Sequence, residues 1–198
     1  MQPLASVPSR SEQVYHVLRD SICECRLEPG THLVQEDIAE KLGVSRQPVQ
    51  QAMLLLKSDG LVVEQGKRGL YVAPIDRAGM RHHYQIRQVL DELAARLVAG
   101  RVTEEPGFGA HLRREGTAIL EEGARARERG DAAAMVRHDV AFHTMIYQLS
   151  GNPLIAAKAE SHWLFLRRVV IGIVTHVGRG HTAWVQHEGI LDALVAGD

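Results

Sequence analysis

The stretch Leu42-Gly43-Val44-Ser45-Arg46-Gln47-Pro48 reads as the tight turn of a helix-turn-helix. A short helix that must stop abruptly favours glycine just past its end, because glycine adopts the left-handed conformation without steric cost. Val44 is an apolar plug for the angle between two helices, and Ser45 has the side chain of a helix N-cap. Before the turn, Ile38, Ala39 and Leu42 recur at helical spacing; after it Val49, Ala52, Met53 and Leu56 do so until Gly60. Upstream, Val14, Val17, Leu18 and Ile22 predict an amphipathic helix over residues 11–26, and Pro29-Gly30 turns the chain. Downstream, Leu61-Val62-Val63 and Leu70-Tyr71-Val72 are β-favouring runs on either side of Gly66-Lys67-Arg68-Gly69, the pattern of a hairpin. Helix, helix, tight turn, helix, hairpin is a winged helix-turn-helix, whose third helix enters the major groove of DNA.

After Pro74 no strand pattern is found. The remainder is helical, with expected breaks near Gly100, Gly130, Gly151-Asn152-Pro153 and Gly178-Arg179-Gly180. The expected fold is therefore mainly α: a winged helix-turn-helix domain over residues 1–76, then an all-helical bundle over 77–198. Pro74, Asp76 and Gly79 mark the boundary. Apolar residues make up 45% of the 198 and charged residues 24%, an ordinary globular balance. No apolar run is long enough for a membrane span, and the N-terminus lacks a signal-peptide core, so a cytoplasmic location is expected. Cys23 and Cys25 are two apart on one predicted helix, pointing in different directions, and are read as reduced packing residues.

The net charge of −1 carries no global nucleic-acid signature. Positive charge is instead local: residues 41–71 hold Lys41, Arg46, Lys57, Lys67 and Arg68 against Asp59 and Glu64. Arg46 has the fork that reads a guanine edge, and Gln47 and Gln50 carry amides suited to adenine or phosphate. The backbone N–H groups at Ser45 to Gln47 suit a phosphate. Lys67 and Arg68, at the hairpin tip, would lie over the backbone or enter the minor groove.

Histidine is concentrated in the second half, where nine of the 11 follow residue 80. Asp139 and His143 are four apart on a predicted helix over 131–151, which lets both side chains grip one cation. Phe142, Ile146 and Leu149 lie on or beside that face and turn it inward, where a carboxylate and an imidazole need partners. His187, on a predicted helix over 182–196, is a third candidate ligand. The same pair also fits a plain internal hydrogen bond. Arg87 fits either an ion pair with Asp91 one turn on or a carboxylate receptor in a cavity. His82, His83, His111, His138, His162 and His176 read as surface or packing residues.

Two resemblances sharpen this. Leu27-Glu28-Pro29-Gly30-Thr31-His32-Leu33, Glu36-Asp37-Ile38-Ala39, the turn with Val49, Gly60-Leu61-Val62 and Gly69-Leu70-Tyr71-Val72 resemble the N-terminal domain of GntR-type transcription regulators. The resemblance implies DNA contacts by Ser45, Arg46, Gln47 and the wing around Gly66 to Gly69. Gln50 stands where that family usually has arginine, so the operator sequence is expected to differ. Tyr84-Gln85-Ile86-Arg87, Ala94-Ala95-Arg96-Leu97, Asp139-Val140-Ala141-Phe142-His143, Ser150-Gly151-Asn152-Pro153 and His187-Glu188-Gly189-Ile190-Leu191 resemble the all-helical, FCD-type effector domain of the FadR-like branch. That likeness implies a divalent transition metal, zinc first and nickel or manganese next, on Asp139, His143 and His187. It also implies a small carboxylate effector at Arg87, with Asn152 nearby or capping the next helix.

The fourth ligand of many members is on a helix beyond Gly197-Asp198. Either that final helix is missing from this sequence, the reading favoured here, or the site has three protein ligands plus solvent or effector. His181 is a weaker stand-in. The expected whole is a homodimeric, ligand-responsive regulator, a repressor in the first instance, bound to double-stranded operator DNA. The alternative is a metal-dependent hydrolase using Asp139, His143 and His187. No His-Glu-x-x-His run or comparable general base supports it.

Overall fold

Ser9 fixes where the first helix begins. Its hydroxyl accepts from the backbone N–H of Glu12 at 3.2 Å, while the Glu12 carboxylate accepts from Ser9 N at 2.6 Å. The computed structural model describes residues 8–66, 69–177 and 180–198, with side chains described at all of these but 77, 173, 175–177 and 180–182. The chain divides into two units, Met1–Ile75 and Asp76–Asp198.

In the first unit, helix α1 (Arg10–Cys23) buries Val14, Leu18, Ile22 and Cys23. It is shorter than the expected 11–26. Cys25 lies past its end with φ 56°, so the two cysteines do not share a helix, and no disulfide joins them. Val17 is 47% exposed, because the buried line runs 14, 18, 22 and leaves it on the flank. Strand β1 (His32–Leu33) was not legible as a strand. Helix α2 (Gln35–Leu42) ends at Gly43 with φ 63°, the left-handed stop the turn requires. Helix α3 (Arg46–Ser58) buries Val49, Ala52, Met53 and Leu56, all four of the predicted positions. Ser45 stands at its N-cap but makes no side-chain cap bond. Strands β2 (Val62–Glu64) and β3 (Leu70–Val72) form the hairpin, and β1 adds antiparallel to β3, giving the order β1-β3-β2. At Gly69 a Cβ would come within 2.7 Å of His32 Nε2, so glycine lets the wing close over β1.

In the second unit, Asp76 caps α4 (Arg77–Glu104) by accepting from Ala78 N and Gly79 N at 2.9 and 3.0 Å. This helix runs straight through Gly100, where a break was expected. A helical glycine costs only about 1 kcal/mol, and the adjoining turns bury Ala94, Val98 and Ala99. The chain breaks instead at Pro106-Gly107, where proline lacks the N–H and Gly107 takes φ 84°. Then follow α5 (Phe108–Glu128), α6 (Ala132–Leu149), α7 (Pro153–Val177) and α8 (Gly180–Ala196). The break expected at Gly178-Arg179 lies outside the described residues.

Helix α4 packs on α6, α7 and α8, while α5 packs on α6 and α8. Phe142, Tyr147, Leu112, Leu166 and Leu191 are almost fully buried between them. Two glycines bring α5 close to α8: a Cβ at Gly123 would sit 2.0 Å from the Trp184 ring, and one at Gly116 would sit 2.6 Å from Leu191. Gly123→Ala is therefore expected to destabilise the protein by about 1–3 kcal/mol through overpacking. Gly100→Ala, with nothing within 4 Å of its Cβ, is expected to stabilise it by about 0.5–1 kcal/mol. Urea denaturation of the two variants checks both signs.

Candidate functional site

The helix that opens at Ser45 presents its first turn to solvent. Ser45, Arg46, Gln47 and Gln50 are all exposed, while Val49 and Met53 are buried. The unused Ser45 hydroxyl and the free N–H groups of the first turn form a donor-rich helix start suited to phosphate. Arg46 Nη1 lies 2.7 Å from Glu36 Oε1 on α2, with both side chains 67% exposed. Lys57 pairs likewise with Glu64 at 2.8 Å. Such exposed pairs contribute roughly 0–1 kcal/mol, so a phosphate or base edge can displace them. Gln50 and Gly69 border one groove of about 350 Å³ between α3 and the wing. Lys67 and Arg68, expected at the hairpin tip, lie outside the described residues.

The second cluster is internal. From α6 come Asp139, His143 and Tyr147, successive residues on one helical stripe; from α8 comes His187; from α4 come Arg87 and Asp91; from α7 comes Trp163. Among the described residues, Asp139, His143 and His187 bring one donor atom each to within 4.8 Å of one another. His187 Nε2 is 3.2 Å from Asp139 Oδ1 and 3.3 Å from His143 Nε2. Donors on a tetrahedral ion at ~2.1 Å stand ~3.4 Å apart, so these separations fit a small divalent cation as well as they fit hydrogen bonds. Among the described residues, Nδ1 of His187 is buried without a hydrogen-bond partner. One carboxylate and two imidazoles are a donor set suited to zinc, nickel or manganese.

Arg87 makes the ion pair with Asp91 that its four-residue spacing suggested, and it reaches the cluster as well. Its Nε donates to Asp91 Oδ2 at 3.1 Å, and its Nη2 reaches His143 Nε2 at 2.7 Å. The guanidinium carbon stands 4.1 Å from the centroid of the Trp163 ring. The Tyr147 hydroxyl donates to the other Asp91 oxygen. Burial, followed by the Arg87 charge, pushes the His143 imidazole down to about 3, so it is neutral at ordinary pH. Burial alone would raise the Asp139 carboxyl, but the His187 hydrogen bond and the surrounding positive charge hold it below its ordinary value. At Asp91 burial prevails over Arg87 and Tyr147, and its carboxyl is raised.

Asn152 is spent elsewhere: its Oδ1 accepts from Leu154 N at 3.1 Å and caps α7. It stands nine residues past His143, beyond the end of α6 at Leu149. Sequence reading missed Tyr147 and Trp163 at the cluster. Tyr147 carried a usable signal, being four residues past His143; Trp163 carried none. His83 and His162 also meet, with Nδ1 atoms 2.9 Å apart and the His83 ring stacked on Phe165. The side chain of His181 is not among those described.

Compared with known proteins, the chain matches the bacterial regulatory proteins of the gntR family over residues 10–72 and the FCD domain over residues 82–198. It is similar to the HTH-type transcriptional repressor RspR of Escherichia coli (strain K12), with 29% identity over 184 residues, 93% of this chain and 78% of that protein. It is also similar to the HTH-type transcriptional regulator McbR of the same organism, 27% identical over 152 residues, 77% of this chain and 66% of that protein. The solved structure of E. coli McbR/YncC superposes with a TM-score of 0.79 at 24% identity, covering 97% of this chain and 89% of that one, which shows the shared fold. A transcriptional regulator GntR from Rhodococcus sp. RHA1 gives 0.81 at 25% identity, over 96% and 88%. These relatives are transcription regulators, so the hydrolase alternative is not favoured.

At the DNA-facing helix, Arg46→Ala is expected to weaken specific DNA binding by about 5- to 100-fold, the cost of one bidentate base contact. Glu36→Gln, which removes only the competing carboxylate, is expected to tighten it by about 1.5- to 5-fold. Fluorescence anisotropy at fixed salt reads both.

Proposed function

The chain belongs to the gntR family of bacterial regulatory proteins and carries an FCD domain, and from that premise we propose a metal-dependent regulator that switches on a small carboxylate. It binds double-stranded operator DNA as a homodimer, one recognition helix per half-site. Ser45, Arg46, Gln47 and Gln50 face the groove, while Lys67, Arg68 and Gly69 form the wing's contact. The repressor role is favoured by the similarity to a protein named as a repressor. Among the described residues, no helix is long and apolar enough to cross a membrane.

One observation carries the ligand-control half of this reading: an Asp, two His and an Arg converge in the interior of the FCD unit. Asp139, His143 and His187 would hold a divalent transition metal, zinc by donor chemistry, with nickel and manganese as alternatives. The metal would supply concentrated positive charge and a coordination position that the three side chains leave for solvent or an effector oxygen. Arg87 would supply the second cation for a carboxylate, its plane set by Asp91 and Trp163. Carboxylate binding would then change operator affinity through a coupling free energy between the two sites.

Purified protein is expected to carry close to one equivalent of transition metal per chain by elemental analysis, and Asp139→Ala and His143→Ala to lose it. A chelator should lower the melting temperature of the wild type and leave both variants unmoved. In a gel shift with DNA upstream of its own gene, both variants should still bind while losing any response to carboxylates. Metal-free wild-type protein whose melting temperature ignores added zinc would overturn the metal reading.

A further inference from the structure

Arg87 bonds to the lone pair that a cation would need. A guanidinium has only donors, so the 2.7 Å contact between Arg87 Nη2 and His143 Nε2 requires that nitrogen to accept. The ring proton of His143 then falls on Nδ1, the side of Asp91, whose Oδ1 is 3.7 Å away. Nε2 is also the nitrogen that faces His187, at 3.3 Å, and so the one directed at the Asp139 and His187 donors. A single sp² nitrogen offers one lone pair. It can take an N–H from Arg87 or a metal ion, not both.

Arg87 would stay at the cluster if that contact broke. Its Nε is bonded to Asp91, whose second oxygen is held by the Tyr147 hydroxyl, and its plane rests on Trp163. The side chain is only 14% exposed. Two of its three contacts, to Asp91 and Trp163, do not involve His143, so losing the third frees one end of the fork and keeps the rest in place.

We propose that Arg87 is a cap on the metal site: it competes with the cation for His143 Nε2, and cation binding releases its Nη2 donor for a carboxylate. The two ligands therefore bind in order, metal before carboxylate, and Arg87 positions the second only after yielding to the first. This rests on the reading of the cluster as a metal-dependent carboxylate sensor, and gives the arginine a role opposed to the metal as well as one beside it.

The test is the zinc affinity of the full chain, by competition with a chromophoric chelator, for wild type and Arg87→Gln. It is joined to ¹⁵N NMR of the arginine side chains of the wild type with and without one equivalent of zinc. Removing a charge-assisted hydrogen bond from the ligand is expected to tighten zinc binding by about tenfold or more. The Arg87 Nη signals should shift when zinc is added. Equal or weaker zinc affinity in folded Arg87→Gln overturns the cap while leaving the metal site standing. A gain in affinity with unmoved Arg87 signals assigns the effect to charge repulsion alone, and also overturns it. If Arg87→Gln does not fold, the wild-type signals decide. Zinc uptake by Arg87→Gln but not by wild type overturns the exchange, because Arg87 then excludes the cation instead of yielding to it; uptake by neither removes the metal reading and the cap together.

Discussion

A carboxylate sunk beside Val136, Val170 and Trp184 cannot stay ionised without compensation, and much of the helical unit can be understood as the arrangement that provides it. Asp139 takes a hydrogen bond from His187, which ties α6 to α8. His143, one turn on, meets Arg87 and so ties α6 to α4. Arg87 in turn rests on Asp91 and on Trp163 of α7. Four helices thus share one polar knot in an otherwise apolar interior. Buried networks of this kind specify a single packing when every member is satisfied. Among the described residues, His187 Nδ1 and Trp163 Nε1 are left without a hydrogen-bond partner, so the fold alone does not satisfy every member.

The DNA-facing unit follows the opposite physical logic. Ser45, Arg46, Gln47 and Gln50 are exposed, the ion pairs Arg46–Glu36 and Lys57–Glu64 are solvent-screened, and the geometry of the turn is set by backbone. Gly43 in the left-handed region fixes the turn, and Gly69 lets the wing lie close to His32. Charges held this loosely can exchange partners for a phosphate at little cost, while the helix that carries them is anchored by Val49, Ala52, Met53 and Leu56.

Legibility in the sequence tracked how local each feature was. The turn at Gly43, the buried stripe of α3 and the hairpin depend on neighbours a few residues away, and their patterns could be read directly. Strand β1 could not, because two residues become a strand only by pairing with Leu70 and Tyr71. Gly100 misled because a glycine's helix penalty is small beside the burial of Val98 and Ala99, whereas Pro106 removes a donor outright. Within the cluster, Asp139 with His143 and Arg87 with Asp91 were visible as four-residue spacings, and Tyr147 extended the first of these unread. The arrival of Trp163, and the reach of Arg87 to His143, are tertiary facts. Nothing in a linear pattern encodes which helix faces which.

In the proposed switch, one internal point bounded by Asp139, His143 and His187 holds a cation in exchange for the Arg87 contact. Anomalous diffraction from crystals of the zinc-loaded protein, collected at the zinc edge, measures this most directly. The account predicts one strong peak about 2.0–2.2 Å from a donor of each residue, with Arg87 turned from His143 and still against Asp91. A peak elsewhere, or zinc at this point with the Arg87–His143 bond intact, would contradict it.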